Sequence, residues 1–474
     1  MIVMKFGGTS LKNAEMFRQS ARIVLDEPRE KIVVVSAMAG VTDQLVALIE
    51  KAKNGEDYSS AMAQLEKLHI DLIGDLFVKN DGELWEARAS VESIFAGMKG
   101  KLGDIENSQP AYSSLRPFPF LSDSVLARGE ELSSIIFSAV LRDLKNDFEK
   151  SIFISSAQIK TDENFGEAEI DLVATKHQLA DLSGRLSQGV IPVVPGFIGT
   201  TVHGDVTTLG RNGSDYTAAA LASIFGAAEL QIWKDVDGVM QTDPKIVPKA
   251  KVLAEISYEE AMEMTYFGAK ILHPKSVLPA IENKIPIRIK NTYRPKAIGT
   301  LISSEAKSAD GLVKIITTIS GLALINVVGR GMLGVSGIAA RVFGATAKAG
   351  VNVMMISQAS SEHSICFVVR QTDAEKAVQA MNQEFEMELQ RHLLEKVDAS
   401  GCLAIIAIVG DGMKGFPGTA AKFTSALAKA KVNIIAMAQG SSERNISILI
   451  SSDETAKAVK SVYQTFFSKR KEKK

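Results

Sequence analysis

The sequence predicts an α/β protein in which a three-layer sheet domain is followed by two small ferredoxin-like modules of βαββαβ order. Two observations predict this architecture. Up to about residue 305, apolar runs typical of buried strands alternate with helical periodicity, which favours a parallel or mixed sheet covered by helices on both faces. Beyond about residue 307 the pattern changes, and one unit of sequence occurs twice.

Length and charge limit the classes of protein that need to be considered. The 474 residues are too many for one ordinary core, and the contents of 46% hydrophobic and 23% charged residues are normal for a globular protein. Because the formal net charge is only −1, no overall field predicts a nucleic-acid or membrane partner.

Cysteine and histidine usage points to a reducing compartment. Only Cys366 and Cys402 occur, so a disulfide framework is not expected. The six histidines show no metal-ligand spacing, and no protein-held metal site is predicted. Since the opening "MIVMKFGG" lacks a signal-peptide pattern and no long apolar run occurs, a cytoplasmic protein is expected.

The elements of the first domain, residues 1–305, follow in order. A strand in "IVMKF" precedes a helix over 14–25, and a strand in "KIVVV" precedes a helix in "QLVALIEKAKN". Residues 55–116 have mostly helical periodicity, until the Pro-rich "SLRPFPFLSD" breaks it. A helix over 123–144 and strands in "GVIPVVPGFIGTT" and "AAELQIWKDVDGV" complete the pattern. In such folds the carboxyl ends of the strands carry the ligand site.

The second part is an internal repeat. Gly329 matches Gly410 and Gln358 matches Gln439 at the same interval, and about two in five aligned positions are identical. Each copy has the order strand, glycine-rich loop, helix, strand, strand, helix. This predicts modules over 312–390 and 397–468, and a solvated basic tail over 469–474.

The glycine-rich loops of the two copies are "GRGMLGVSG" and "GDGMKGFPG". Each loop opens a helix, where backbone N–H groups can receive a carboxylate. Ligand sensing is therefore predicted for the repeat, and dimerisation alone is the alternative.

Five stretches with unusual residues lie at strand ends or in glycine loops: "KFGGTS", "VVVSAMAGVTDQL", "LARGEELSS", "TLGRNGSDYTAAAL", and "IWKDVDGVMQTDPK" with "YFGAKILHP". In the first, glycines allow backbone N–H groups to approach phosphate and Lys5 adds a positive charge; the alternative is a tight turn with a solvent-reaching lysine.

In the second stretch, Thr42 is either a residue of the functional site or only a helix cap. Glu130 either binds an ammonium group or only interacts with a helix dipole.

The fourth and fifth stretches add complementary charges. Arg211 is suited to bidentate carboxylate recognition, whereas Asp215 has helix capping as its alternative. Six charged residues of the fifth stretch can surround a nucleotide: Lys234, Asp235, Asp237, Asp243, Lys245 and Lys270. Together the stretches predict phosphoryl transfer by positioning and charge neutralisation, without a covalent nucleophile.

These motifs, in this order, resemble the aspartate kinase family, and the repeat resembles its two ACT regulatory modules. The resemblance covers essentially the whole chain. It implies an amino-acid-kinase fold for the first domain and transfer of the ATP γ-phosphate to the β-carboxylate of L-aspartate. The product, 4-phospho-L-aspartate, leads to lysine, threonine, methionine and diaminopimelate. Mg²⁺ would be held mainly through the nucleotide phosphates. Because no dehydrogenase pattern follows the repeat, the monofunctional form is expected.

The resemblance also implies roles for single residues. The residues near the transferring phosphate would be Lys5, Phe6, Gly7, Gly8 and Ser36. The aspartate pocket would consist of Thr42, Glu130, Phe165, Arg211 and Asp215. Arg211 would clamp a carboxylate, and Glu130 and Asp215 would favour the ammonium group. Lys5, Ser36, Arg211 and Asp215 would be catalytic. The nucleotide site would be lined by Lys234, Asp235, Met240, Lys245 and Lys270. Asn212, Lys234, Met240 and Lys245 depart from the commonest family pattern.

Feedback inhibition by lysine, threonine or both is implied at the interfaces between ACT modules. The candidate effector contacts are Met332, Gly334, Val335, Ser336, Ser357 and Gln358. The second copy is less polar, with Pro417 for Ser336 and Ala438 for Ser357, so the first copy is predicted to bind. Pairing of the modules across chains implies a homodimer or larger. Two alternatives remain: a sibling kinase acting on glutamate, acetylglutamate or a nucleotide, and an inactive amino-acid sensor.

Overall fold

The computed structural model describes residues 1–78, 80–108, 118–145, 151–266, 272–306, 312–329, 337–358 and 364–467. These residues form two compact units. The N-terminal unit comprises Met1–Val239, Ala254–Tyr258 and Leu272–Ala306. The C-terminal unit comprises Met240–Leu253, Glu259–Ile271 and Lys307–Lys474, as far as these ranges are described.

The described residues of the N-terminal unit form ten strands: β1 (Ile2–Phe6), β2 (Lys31–Val35), β3 (Ser151–Phe153), β4 (Ile191–Pro195), β5 (Ile198–Thr200), β6 (Val206–Thr208), β7 (Leu230–Lys234), β8 (Glu255–Ser257), β9 (Ile287–Asn291) and β10 (Thr300–Ser303). Its helices are α1 (Ala14–Asp26), α2 (Val41–Lys53), α3 (Ser59–Leu76), α4 (Asp81–Asn107), α5 (Phe118–Leu126), α6 (Arg128–Lys145), α7 (Leu172–Gln178), α8 (Leu182–Ser187), α9 (Gly213–Phe225), the first residue of α10 (Tyr258–Tyr266), and α11 (Pro274–Glu282).

Eight of these strands form one sheet in the order β3-β4-β2-β1-β7-β9-β10-β8. Neighbouring strands are parallel except for β9 and β10, and β5 pairs with β6 in a separate antiparallel hairpin. The chain leaves β1 for β2 on one side and returns to β7 on the other. A ligand crevice is expected where the strand order reverses in this way, outside the carboxyl ends of the strands.

The two faces of β1 have different partners. Ile2, Met4 and Phe6 lie in a large core with residues of α1 and α6, whereas α9 packs across β1 from the other side. Side chains alternate along a strand, so Lys5 points away from the core that holds Phe6. The predicted mixed sheet with helices on both faces is confirmed.

The predicted helical excursion contains α3 and α4, which pack together, with α4 also lying against α6. Its bounds stay predictions. The predicted single helix over 123–144 is wrong, because the segment is divided between α5, which ends at Leu126, and α6, which begins at Arg128. Pro119 is tolerated in the first turn of α5, where no backbone N–H donor is needed. The part of the Pro-rich segment before residue 118 lies outside the described residues.

The C-terminal unit contains six strands: β11 (Ile315–Val328), β12 (Met355–Gln358), β13 (Ser364–Arg370), β14 (Lys396–Val409), β15 (Ala436–Gln439) and β16 (Asn445–Ser451). Its helices are the remainder of α10, α12 (Ile338–Lys348), α13 (Ala374–Glu384), α14 (Glu386–Gln390), α15 (Thr419–Lys429) and α16 (Thr455–Phe467). The strands form one antiparallel sheet in the order β12-β13-β11-β14-β16-β15.

The two repeats share their long strands. The first half of β11 pairs with the second half of β14, and Ile316 packs in the core of the second repeat. Conversely, Lys396–Ser400 of β14 pair with the second half of β11, beside the first repeat. Both ferredoxin-like modules are therefore confirmed, and each is completed by a strand from the other. The module bounds stay predictions.

Among the described helices, none combines the length and the apolar character that crossing a membrane requires.

Candidate active site

The carboxyl ends of β1, β2 and β7 lie side by side and place three predicted segments at one edge of the sheet. Lys5 is in register with Val34 of β2 and with Ile232 of β7. The glycine loop that follows β1, the loop at Ser36 and the end of β7 at Lys234 therefore meet. The sheet register brings together segments that are distant in the sequence.

Lys5, Asp215 and Lys234 form a buried charge cluster at this edge. Lys5 Nζ lies 2.6 Å from Asp215 Oδ1, and Lys234 Nζ lies 3.4 Å from Asp215 Oδ2. Lys5 is only 6% exposed and Asp215 is 1% exposed. Lys5 is thus not a solvent-reaching lysine, and the alternative of an ordinary turn residue is wrong.

The two lysines keep the carboxylate of Asp215 ionised. Burial by itself raises the pKa of Asp215, but the ammonium groups of Lys5 and Lys234 hold it below its ordinary value. Burial lowers the pKa of Lys234, against the opposing charge of Asp215. Asp215 is the third residue of α9, whose N-cap is Asn212 without a side-chain capping bond. Capping therefore does not explain Asp215.

Gly8 allows the loop after β1 to lie against the loop after β2. A Cβ atom at Gly8 would be 2.9 Å from the Ala37 carbonyl oxygen, closer than real Cβ atoms approach backbone. Gly7 N–H donates to the Trp233 carbonyl at 3.2 Å. The Phe6 ring is fully buried and stacked on Trp233, so only the backbone of Phe6 faces the loops, where its carbonyl accepts from Ser36 N–H.

Glu130 lies in the first turn of α6 and points inward. It is 4% exposed, and its Oε2 has no hydrogen-bond partner among the described residues. Burial raises its pKa to about 8, although the backbone N–H of Ala37 and the charge of Lys5 favour the ionised form. Neighbouring Glu131 instead pairs with Arg128 at 2.5 Å. The two adjacent glutamates therefore differ in their partners, and only Glu130 is available to a ligand.

Gly129 brings this helix start close to the loop after β2. A Cβ atom at Gly129 would be 2.9 Å from the Ala37 Cβ. Thr42 is the second residue of α2, whose N-cap is Gly40 in the left-handed conformation and which has no side-chain capping bond. The capping alternative for Thr42 is therefore wrong, and its half-buried hydroxyl stays a candidate ligand contact.

Phe165 and Arg211 lie on two neighbouring turns. The Phe165 ring packs edge-on against Phe120, with centroids 5.4 Å apart. Arg211 is exposed and its side chain has no hydrogen bond or ion pair to a described residue. Asn212 adopts φ 58°, a left-handed conformation that asparagine tolerates, which accounts for its use where glycine is commoner.

The fifth stretch divides between the two units. Asp235 is exposed after β7, while Asp237 accepts from Asn291 Nδ2 at 2.7 Å and pairs with Arg294, which makes it a turn anchor. Met240 packs against the core of the second repeat, and Lys245 N–H donates to Asp243 Oδ1. Met240 and Lys245 thus belong to the C-terminal unit.

Several predicted residues cannot be placed. Lys270 and the effector candidates Met332, Gly334, Val335 and Ser336 lie outside the described residues. Ser357 and Gln358 end β12, an edge strand, where the Ser357 carbonyl accepts from Cys366 Sγ. Their effector role stays a prediction.

Sequence reasoning missed Asp123. Its buried carboxylate accepts hydrogen bonds from the turn that carries Phe165 and from the end of β6. The available signal was composition, since Asp123 is the single charged residue in the α5 sequence "FPFLSDSVL".

Comparisons with known proteins identify relatives of both parts of the chain. A model of the amino acid kinase family matches residues 1–291, and a model of the ACT domain matches 325–385 and 406–466. The chain is 37% identical to a bifunctional aspartokinase/homoserine dehydrogenase of Haemophilus influenzae, covering 99% of this chain and 57% of that protein. It is 31% identical to the lysine-sensitive aspartokinase 3 of Escherichia coli, covering 98% and 99%. The chain spans about half the length of the bifunctional relatives.

Solved structures of E. coli aspartokinase III are similar over the same extent. Its complex with aspartate and ADP superimposes with a TM-score of 0.78 and its complex with lysine and aspartate with 0.79. In both cases the identity is 30%, and the match covers 98% of this chain and 99% of that chain.

Proposed function

The chain belongs to the aspartokinase family of amino acid kinases, and from this premise we propose that it transfers the γ-phosphoryl group of ATP to the β-carboxylate of L-aspartate. The products are 4-phospho-L-aspartate and ADP. The observation that carries the proposal is the cluster of Lys5, Asp215 and Lys234, with Glu130 beside it, whose Oε2 has no hydrogen-bond partner among the described residues. The solved relative that binds aspartate and ADP supports the choice of substrates.

The cluster is suited to binding a phosphoryl group in transit. Two ammonium groups, those of Lys5 and Lys234, lie at the carboxylate of Asp215 in a largely buried position. An anion arriving there is neutralised by Lys5 and Lys234 without moving either lysine far, because Asp215 already orients both. Phosphoryl transfer depends mainly on such positioning and charge, and needs no covalent intermediate on the protein.

The remaining predicted residues complement the ends of L-aspartate. The Glu130 carboxylate is free to accept the α-ammonium group, and the unpaired guanidinium of Arg211 is suited to a bidentate contact with the α-carboxylate. Holding both groups would direct the β-carboxylate toward Lys5. Phe165 and Thr42 would line the pocket.

Mg²⁺ would reach the site with the nucleotide. Among the described residues no group of three or more His, Cys, Asp or Glu side chains could hold a metal ion. The proposal is that phosphate oxygens of the nucleotide hold most of the coordination of Mg²⁺. When bound, the ion would neutralise phosphate charge. The chain itself contributes Lys5, Lys234 and, by prediction, Asp235, Met240, Lys245 and Lys270.

Regulation is proposed to act through the repeat, with lysine or threonine as the inhibitor. The complex of the E. coli relative with lysine supports lysine as the inhibitor.

A homodimer or larger assembly through the ACT modules is also proposed. The edge strands β12 and β15 carry the exposed apolar side chains Ile356 and Met437, which such an assembly would cover.

The unpaired thiols of both cysteines support a cytoplasmic location.

A coupled ADP-release assay tests the substrate assignment. The purified chain with MgATP should release ADP with L-aspartate and not with L-glutamate or N-acetylglutamate. Lys5→Ala serves as the inactive variant, and Lys12→Ala, which changes an exposed lysine of the same loop, serves as its matched control. Activity on glutamate alone would establish the sibling kinase, and no activity with any substrate would favour the amino-acid sensor.

Adding lysine or threonine to the same assay tests regulation. Inhibition by either amino acid supports the proposed role of the repeat and identifies the effector. Activity unchanged by both would remove feedback control from the proposal and leave the kinase assignment intact.

A further inference from the structure

We propose that Asp123 is a positioning residue for the aspartate pocket, which fixes the turn that carries Phe165 against the strand end that leads to Arg211. The inference rests on the proposed function, because it concerns the pocket for L-aspartate. Asp123 itself does not need to touch the substrate. It acts through the backbone of two segments that are brought together only by the fold.

The carboxylate of Asp123 accepts three hydrogen bonds in a buried position. Asp123 Oδ2 accepts from Gly166 N–H at 2.8 Å and from Thr208 N–H at 2.8 Å. Asp123 Oδ1 accepts from the Thr208 hydroxyl at 2.7 Å. Because the side chain is 1% exposed, water cannot substitute for these bonds without rearrangement.

The two segments that Asp123 joins carry two predicted pocket residues. Gly166 directly follows Phe165, and Thr208 ends β6 three residues before Arg211. The segments also contact each other, since Ala168 N–H donates to the Thr208 carbonyl at 2.9 Å. A Cβ atom at Gly210, which has φ +69°, would lie 3.3 Å from the Gly166 carbonyl oxygen. A displacement of one turn would therefore displace the other.

Helix α5 holds the first of these turns through an apolar contact as well. Phe120 stands one helical turn before Asp123, and its ring meets the Phe165 ring edge-on at 86°. Residues three apart lie on one helix face, so Phe120 and Asp123 contact the same turn together. The ring contact fixes the Phe165 side chain, and the carboxylate fixes the backbone beside it.

No cation among the described residues forms an ion pair with Asp123. The role of this carboxylate is therefore to satisfy backbone donors. This distinguishes it from Glu83, a buried acid that forms a bidentate ion pair with Arg142 at 2.8 and 2.9 Å between α4 and α6.

The substitution Asp123→Asn tests the proposal in the full-length chain. Asparagine keeps the shape but loses the charge. When its one acceptor oxygen serves the two backbone N–H donors, its amide group faces the Thr208 hydroxyl, which must then accept instead of donate. We expect the KM for aspartate to rise about tenfold, while the KM for ATP stays within about twofold of the wild-type value. Isothermal titration of aspartate should show the same loss of affinity.

Variants at Thr208 provide a second, milder test. Thr208→Val removes the hydroxyl donor and keeps the backbone N–H, so the KM for aspartate should rise about threefold. Thr208→Ser retains the donor and should restore the wild-type value. The matched control is Thr161→Val, which breaks the buried hydroxyl pair of Thr161 and Thr207 without touching Asp123. This control should lower the Tm and leave the ratio of the two KM values unchanged.

The outcomes separate this inference from the proposed function. An unchanged KM for aspartate in Asp123→Asn, or an equal rise in both KM values, overturns the positioning role. If Asp123→Asn does not fold, equal KM values for the Val and Ser variants at position 208 overturn it. A wild-type chain that neither binds nor phosphorylates aspartate refutes the proposed function and this inference together.

Discussion

Lys5 and Asp215 form an ion pair of 2.6 Å, although β1 and α9 are separated by most of the N-terminal unit in the sequence. The pair exists because α9 packs across β1 on the face opposite to Phe6. Lys234 reaches the same carboxylate from the adjacent strand β7. The order of the strands thus brings three residues that are distant in the sequence into one charge cluster.

Replacing Lys5 should affect the chemical step more than binding. Lys5→Ala removes a charge that is most needed as negative charge redistributes in the transition state, so we expect kcat to fall by about 10²–10³ with a small change in the KM for aspartate. Steady-state ADP release measures both constants. An unchanged kcat, with Lys12→Ala also at wild-type activity, would remove Lys5 from the site.

Replacing Arg211 should affect binding of aspartate instead. The side chain is exposed and has no partner among the described residues, so Arg211→Ala should leave the Tm unchanged. We expect the KM for aspartate to rise by about tenfold or more, since a bidentate carboxylate contact is lost. Arg211→Lys should recover only part of the affinity, because lysine cannot form the planar fork. A KM unaffected by both changes would exclude Arg211 from the pocket.

Aspartate binding should depend on pH through Glu130. Burial raises the pKa of Glu130 to about 8, so the carboxyl is protonated below that pH in the free protein. Only the ionised form attracts the ammonium group of aspartate. The KM for aspartate should therefore fall as pH rises from about 6.5 to 9. Glu130→Gln should raise the KM and make it independent of pH in this range. A parallel pH dependence in both proteins would show that another group titrates.

The raised pKa of Glu130 also makes the stability of the folded protein depend on pH. A rise in pH should strengthen aspartate binding but weaken the stability. The pKa of Glu130 is raised in the folded state, so between its ordinary value of 4.5 and about 8 the folded protein holds a proton that the unfolded chain releases. Stability is lost as pH rises through this window. Above it, Glu130→Gln should be more stable than the wild type by about 1–2 kcal/mol, seen as a higher Tm. A lower Tm for Glu130→Gln at pH 9 would contradict this sign.

The candidate residues of the N-terminal unit occur in local patterns. Glycines beside charged residues at a strand end or a helix start identify Lys5, Glu130 and Asp215 as unusual without a structure. Their partners were not predictable, because pairing depends on strand order and helix packing. The resemblance implies that Asp215 favours the substrate ammonium group, and this role stays a prediction. The structure adds that both carboxylate oxygens of Asp215 lie beside lysines.

Other features were hidden for different physical reasons. Asp123 acts through backbone donors of distant segments, which carry no residue-type signal. The pairing of the start of β11 was not predictable, because its partner, the second half of β14, lies in the other repeat. Residues 240–253 followed a strand of the sheet domain, yet their apolar side chains Met240, Val247 and Ala250 pack in the core of the second repeat.

A buried ion pair within the C-terminal unit gives a last prediction. Lys314 Nζ lies 2.9 Å from Glu260 Oε2, the two side chains are 7% and 0% exposed, and Glu260 Oε1 accepts from Asp411 N–H. Lys314→Met would remove this cation from a buried carboxylate and should destabilise the protein by about 3–5 kcal/mol. The double change with Glu260→Gln should lower the stability less, because no charge is left buried.

The exposed pair of Lys396 and Asp398 is the matched control, and Lys396→Met should change stability by less than about 0.5 kcal/mol. Differential scanning calorimetry measures all three variants, and equal losses for the two single changes would refute the assignment of a buried pair.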